Sequence, residues 1–428
     1  MNRYFQKSPA LISIMPYLVC FSAALFFAYE LMQMHMMNAI APFLMKDLAM
    51  NGTSFGNLCA TYLLADVIFL LPAGIILDRF STRSVILIAL ALCILGTVGF
   101  ALATSYPVAC LCHFFSGIGN AFCFLSCMML IARWFPIEKQ AFIIGLVVTV
   151  GMLGGVIAQS PFSYLSELLT WRRALLVDAA FGVVIYALIY LFVYDSQEKL
   201  DAKKRTQEEI PFWEGIKRSV FNLQNVCCGI YTCLMNLPLM VIGAVWGSLY
   251  LTQIHHVSLT KASFIVSMIC MGTIVGSPIF GYYSDRSRLR RPWMAIGGVF
   301  SFVIMCMILG IPHLSEAMLT LLFFALGLFS SSQILGYPTI TESNPKELTG
   351  TSMGIAAVII MGLPMLAQPL SGYLLDLHWT GLVMNGTPVY ARSDYLTAFS
   401  MFPIGFLLAL VANFVIKEPK KLKGFQQV

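Results

Sequence analysis

The feature that most constrains this chain is the return, about twelve times along 428 residues, of apolar runs about 20 residues long. A run of that length crosses a hydrocarbon core of about 30 Å as an α-helix whose backbone groups are all satisfied internally. Strands of a membrane barrel would instead alternate apolar and polar residues over about ten positions, and the sequence shows no such alternation. Only 11% of the residues are charged, against roughly 25% in a soluble globular protein. The pattern predicts an all-α membrane protein of twelve transmembrane helices near 14–44, 57–77, 84–104, 107–132, 141–162, 173–194, 221–251, 262–283, 292–311, 315–338, 350–375 and 395–416. Met1–Ala10 is short and polar and fits no secretory leader, so the first span is expected to persist in the mature protein.

Orientation follows from the basic residues. Of the 26 Lys and Arg, the loops opposite the termini hold five: Lys46, Arg172, Arg173, Lys261 and Arg392. The remainder lie on the side of the termini, which the positive-inside rule assigns to the cytoplasm. The expected location is an inner or plasma membrane. No permanent cation is left for the membrane interior, and the net charge of +6 is a topological signal that gives no reason to invoke nucleic acid. Most of the 12 cysteines sit inside apolar spans without C-x-x-C spacing and read as small packing residues. Asn51-Gly-Thr53 and Asn385-Gly-Thr387 match the glycosylation acceptor pattern on the far side.

The most charged stretch, 195–218, reads as a cytoplasmic linker with a short amphipathic helix around Phe212–Arg218. It separates two halves, 1–194 and 219–428, that echo each other. Gly74-Ile-Ile-Leu-Asp78-Arg79 with Arg83 recurs 207 residues later as Gly281-Tyr-Tyr-Ser-Asp285-Arg286 with Arg290. Pro136-x-Glu138 with Gly145 recurs 209 residues later as Pro345-x-Glu347 with Gly354, and Ala158-Gln159-Ser-Pro161 as Ala367-Gln368-Pro369. A membrane protein built from such repeats places its substrate site where the repeats meet, near mid-bilayer.

These residues resemble the major facilitator superfamily of secondary transporters, whose signature is the G-x-x-x-D-R-x-x-x-R loop found here at Gly74–Arg83 and again at Gly281–Arg290. Trp171-Arg172-Arg173 is also similar to the family pattern. The resemblance covers essentially the whole chain. It implies two pseudo-symmetric six-helix bundles around a central cavity lined by spans one, four, seven and ten, working by rocking alternating access. Gly74 and Gly281 are expected at close helix contacts. Asp78 and Asp285 are expected to pair with Arg79, Arg83, Arg133, Arg286 or Arg290 as a gate on the cytoplasmic side. His113 stands where the family often carries an Arg in span four, and the antiporter motif of span five is only partly present at Gly151, Gly154, Gly155 and Ser160-Pro161.

Ionisable groups inside spans are the strongest functional candidates, because a carboxylate near mid-bilayer costs at least about 2.5 kcal/mol on insertion scales. Glu30 is expected to be the proton-coupling residue, with His113 as relay or substrate contact and Asp66 as a further candidate. Asp178, nearer the far end of its span, is expected to pair with Arg172 or Arg173. Helical spacing puts Gln33 and Met37 on the face of Glu30, and Asn120 and Phe124 on that of His113. Tyr231, Asn236, Trp246, Tyr250, Ser330, Gln333 and Tyr337 complete the expected cavity lining, and Pro238 is expected to break span seven. The run Met32, Met34, Met36, Met37 is spread around its helix, and no metal is expected. No nucleophile–base pair or phosphate loop suggests an enzyme.

The expected function is secondary active transport of a small polar organic solute, an amino acid or similar nutrient. Proton-coupled symport is favoured, with no cofactor beyond the gradient and the chain acting as a monomer in the bilayer. The absence of interior Lys and Arg argues against multiply charged anions. The competing expectation is an exporter of drugs or metallophores by proton antiport.

Overall fold

The computed structural model describes residues 9–194, 217–345, 348–384 and 386–418. Most of the linker, and with it most of the expected amphipathic helix, lies outside the described residues, as does Asn385. Twelve helices among the described residues are long and apolar enough to cross a membrane. The first six are Ile14–Asp47, Gly52–Gly74, Thr82–Leu102, Tyr106–Trp134, Phe142–Leu169 and Trp171–Phe192. The second six are Leu223–Ile254, Leu259–Ser287, Arg291–Gly310, Glu316–Ser343, Thr351–Leu377 and Arg392–Val415. They are numbered below as spans one to twelve. All lie close to the ranges expected from hydropathy, because lipid demands the same helix length that the apolar runs supply.

Local signals set several ends. Asn51 caps span two by accepting from Ser54 N at 2.9 Å, and Ser315 caps span ten by accepting from Met318 N at 3.3 Å. Four spans are interrupted. Span five breaks at Gln159 before Ser160-Pro161, and span twelve at Ser400. Span ten tightens to a 3-10 turn over Ser331–Leu335. In span seven Pro238 supplies no N–H, and the helix widens to a π-helix over Pro238–Trp246. A two-residue hairpin, Val383–Met384 against Thr387–Pro388, tops the loop between spans eleven and twelve.

Within each half, glycines at equivalent positions make a close helix crossing. A Cβ on Gly117 of span four would meet the backbone of Tyr62 in span two, and a Cβ on Gly327 of span ten would meet the backbone of Ile269 in span eight. The repeat seen in the sequence is therefore also a repeat of packing. Without a hydrophobic drive between helices in lipid, such backbone approach supplies much of the contact energy.

Between the halves, span two runs along span eleven, span five along span eight, and span one along span seven. The two–eleven seam is tightest on the side away from the termini. On the side away from the termini, a Cβ on Gly56 would fall 2.5 Å from the carbonyl oxygen of Gln368, and one on Gly372 would meet the backbone of Gly52. Toward the termini, a Cβ on Gly354 comes no nearer than 3.8 Å to Leu71, and one on Gly74 meets nothing within 4 Å.

Candidate functional site

Glu30 lies midway along span one and is 0% exposed. Tyr62 of span two donates to its Oε2 at 2.8 Å and to its backbone carbonyl at 3.0 Å. The other carboxyl oxygen, Oε1, has no hydrogen-bond partner and rests against Gly119 of span four, next to Cys93 of span three. Asp66, a turn beyond Tyr62, is buried and interacts with Asn120 of span four. These two carboxyls share the interior of the first bundle with that of Asp178 in span six, and no Lys or Arg lies along the stretches around Glu30 and Asp66 to offset a charge.

Gln33, expected on the cavity, turns the other way. It donates to Asp178 of span six in a short hydrogen bond and accepts from Thr97 of span three at 3.0 Å. Asp178 therefore does not pair with Arg172 or Arg173. Arg172 instead reaches Asp47 at 3.8 Å and donates to the carbonyls of Ala101 and Ala103. The physical reason is depth: Asp178 lies well inside span six, where a buried amide is a cheaper partner than a guanidinium drawn in from the interface.

A small cavity of about 10 Å³ lies between the halves. Its walls are Met34 and Met37 of span one, Cys59, Tyr62 and Leu63 of span two, His113 of span four and, from the other half, Gln368 of span eleven. Tyr62 thus both lines this cavity and binds Glu30. His113 is held between Tyr62 and Phe100, with ring centroids 5.2 and 5.3 Å away, and its Nδ1 has no partner. Gln368 donates through Nε2 to the carbonyl of Met240 in the π-helical segment at 2.9 Å, while its Oε1 has no partner.

The hydrogen bonds that cross between the halves cluster on the side away from the termini. Asn38 of span one donates to Gln159 of span five at 2.6 Å and to Ser248 Oγ of span seven at 2.7 Å, and accepts from Ser248 N at 2.7 Å. Gln159 in turn donates to the carbonyl of Gly243, again in the π-helical segment, at 2.6 Å. Nearer the surface, Asp376 at the end of span eleven accepts from Gly52 N, Thr53 N and Thr53 Oγ1, and from Tyr390. A carboxylate on the free N–H groups of a helix start is a favourable arrangement, and here it ties the halves together. Asp376→Asn is expected to favour opening on that side by about tenfold or more, one charge-assisted hydrogen bond being worth about 1.5–3 kcal/mol. Labelling of Cys59 by a membrane-impermeant thiol reagent, with the other accessible cysteines replaced, reads this out; an unchanged rate would show that Asp376 holds nothing closed.

The remaining expected residues fall into distinct places. Tyr231 is buried in the second bundle, donating to Met294 O at 2.7 Å and touching Ser332 Oγ, and Tyr250 donates to Ile308 O in the same bundle. Ser330 bonds back to Gly327 O. None of these three side chains lines the cavity. Trp246 donates to Ser371 Oγ of span eleven at 2.7 Å and meets Phe55 of span two edge-on, so it belongs to the closed seam. Asn236 is buried just before Pro238. Gln333 and Tyr337 are half-buried on span ten. Phe124 is 37% exposed and packs on Phe27 of span one.

Of the loop motif, Arg83 donates to Tyr190 O and stacks over Tyr190 and Tyr194, and Arg79 is exposed. Arg286 donates to Tyr282. Arg290 is the buried hub of its copy, bonded to Asp285 at 2.5 Å and Glu342 at 2.8 Å. The side chain of Asp78 lies outside the described residues. Gly74 and Gly281 do not make the close contacts expected of them: a Cβ at either would meet nothing within 4 Å.

The sequence model of the Major Facilitator Superfamily matches residues 19–369 and 228–427. This chain belongs to the major facilitator superfamily. It is a secondary transporter and not an enzyme, and superfamily members are typically driven by ion gradients. The probable galactarate/D-glucarate transporter GudP of Bacillus subtilis is 21% identical over 408 residues, 88% of each chain. The hexuronate transporter of the same organism is 19% identical over 371 residues, 82% of this chain and 87% of that one. In fold, the chain resembles the crystal structure of a D-xylose-proton symporter, with a TM-score of 0.73 at 14% identity over 95% of this chain and 98% of that one.

Tyr62, Asn38, Gln159, Gln368 and Asp376 were not among the expected site residues. The sequence did carry a signal for two of them. Gln159 and Gln368 are the amides of the third repeat echo, and an amide kept at equivalent depth in two apolar helices must find a partner.

Proposed function

We infer that this transporter imports a small polar organic solute, neutral, zwitterionic or singly charged, together with a proton. The arrangement of Glu30, Tyr62 and His113 beside the cavity between the halves carries this reading. Glu30 is fully buried, half-satisfied and without a cation, so its neutral, protonated form suits the site and loss of the proton requires water or a charge nearby. Tyr62 both binds Glu30 and faces the cavity, which gives the proton a short route to the place where solute would sit. With the termini cytoplasmic, as the basic loops favour, the looser end of the two–eleven seam faces inward.

The relatives carry names that point to sugar acids. A dianion would call for fixed positive charge, and all Lys and Arg of this chain lie at or beyond the ends of the spans. A proton-coupled solute of low charge therefore fits better.

The test is uptake from a pooled metabolite library into proteoliposomes with an inward proton gradient. Each pH unit supports about tenfold accumulation per proton carried, since a factor of ten corresponds to about 1.4 kcal/mol. A solute that accumulates and is released by a protonophore is the expected result. Accumulation indifferent to the protonophore would overturn proton coupling, and export from inward-oriented protein would favour the antiport reading.

A further inference from the structure

Two buried polar atoms with no partner belong to side chains on the same small cavity, one from each half of the molecule: His113 Nδ1 on span four and Gln368 Oε1 on span eleven. The residues are 1% and 2% exposed. Buried polar groups in folded proteins are nearly always paired, so two orphans on one cavity call for a ligand or ordered water. The repeat supplies an internal control. Gln159 and Gln368 are equivalent residues, and each donates through Nε2 to a carbonyl of the π-helical segment of span seven. Gln159 Oε1 is satisfied by Asn38 at 2.6 Å, whereas Gln368 Oε1 is left open. Packing alone can close such a site, as the first copy demonstrates. The second copy is left open where the cavity lies.

The remaining wall is soft and apolar, formed by Met34, Met37, Cys59 and Leu63. Two hydrogen-bonding points beside such a wall suit a compact solute with one polar end and one apolar end. They do not suit a sugar acid, whose several hydroxyls and carboxylates would find too few partners, and unpaired polar groups weigh heavily in selectivity.

We propose that His113 and Gln368 form a two-point clamp across the halves for the α-amino and α-carboxylate groups of an amino acid with an unbranched apolar or thioether side chain. The ammonium donates to Gln368 Oε1, the carboxylate accepts from the His113 ring, and the side chain lies along Met34, Met37, Cys59 and Leu63. In the present state the cavity has room for about one water, so the solute enters when the halves part and is gripped as the two residues approach it. Because Gln368 also holds Met240 O, its grip on solute is transmitted directly to the broken segment of span seven. This inference rests on the low-charge solute reading above and names its class.

Binding to the purified full-length chain, by thermal shift and calorimetry, tests it without any proton gradient. The probes are L-methionine, L-norleucine, L-serine, galactarate, glucarate and glucuronate. L-Methionine or L-norleucine is expected to stabilise the wild type, with the sugar acids inert and L-serine weaker. Gln368→Met and His113→Phe are each expected to weaken binding by about tenfold or more, as loss of a hydrogen bond to a charged group would. Gln159→Met, which sits in the equivalent place with its carbonyl already satisfied, is expected to stay within about threefold. The unliganded melting temperature of each variant shows whether it is folded, and the Gln159 variant keeps the comparison meaningful if Gln368→Met is unstable. Stabilisation by a sugar acid as strong as that by the best amino acid would overturn the proposal. So would a wild type that no amino acid stabilises, or equal losses in the Gln159 and Gln368 variants. Binding as expected with uptake indifferent to protons would sink the coupling reading and leave the clamp standing.

Discussion

Glu30→Gln is expected to retain solute exchange across proteoliposome membranes within about threefold of wild type while losing proton-driven accumulation entirely. With a gradient of two pH units and one proton per solute, accumulation falls from a limit of about 100-fold to about onefold. The reasoning is geometric. Glutamine keeps the size of the side chain and still accepts from Tyr62 through its amide oxygen, so the contact at 2.8 Å survives. Its NH2 group takes the place of Oε1, which has no partner and lies against Gly119. The variant is thus locked in a mimic of the protonated form, and it can rock with solute but cannot carry a proton. Counterflow and gradient-driven uptake on the same vesicles separate the two properties. A variant that accumulates like the wild type would make Glu30 a structural residue and pass coupling to Asp66, Asp178 or His113.

The second large effect concerns assembly. Gly117→Val and Gly327→Val are each expected to leave little folded protein, with the yield of monodisperse protein in detergent falling at least about tenfold. Overpacking a core typically costs about 1–3 kcal/mol and sometimes more, and these sites lie at the upper end. A Cβ at Gly117 would sit 2.8 Å from the Cα of Tyr62, and one at Gly327 the same distance from the Cα of Ile269. Backbone atoms cannot rotate aside as a side chain would. Gly74→Ala and Gly281→Ala form the contrast: with open space around each, stability should hold or rise by up to about 1 kcal/mol from helix propensity. Size-exclusion profiles and melting temperatures of the four variants decide the matter, and equal damage at all four positions would refute the packing argument.

This contrast shows how the sequence misleads about packing. The glycines of the loop motif stand out because they belong to a repeated pattern, yet they face open space in this state. Gly117 and Gly327 carry no such flag, and each is pressed against the backbone of a neighbouring span. The same holds for polar residues. Glu30 and His113 could be singled out because ionisable groups are rare in spans. Tyr62, which joins them, could not, because a tyrosine in an apolar helix is unremarkable.

By itself the sequence determined the twelve spans, the internal repeat of motifs, the sided distribution of Lys and Arg, and the family. Each follows from a one-dimensional property: lipid permits only helices of a set length, and charge is excluded from the interior. Only the tertiary structure decided which face of each helix meets which neighbour. Gln33 turned to span six instead of the cavity, Tyr231 entered the second bundle, and Gln368 was brought from a distant span to face His113. In water an amphipathic stripe announces the buried face of a helix. In lipid the face toward hydrocarbon and the face toward protein are similarly apolar, so the sequence carries little record of direction, and the packing of glycines and buried amides settles it.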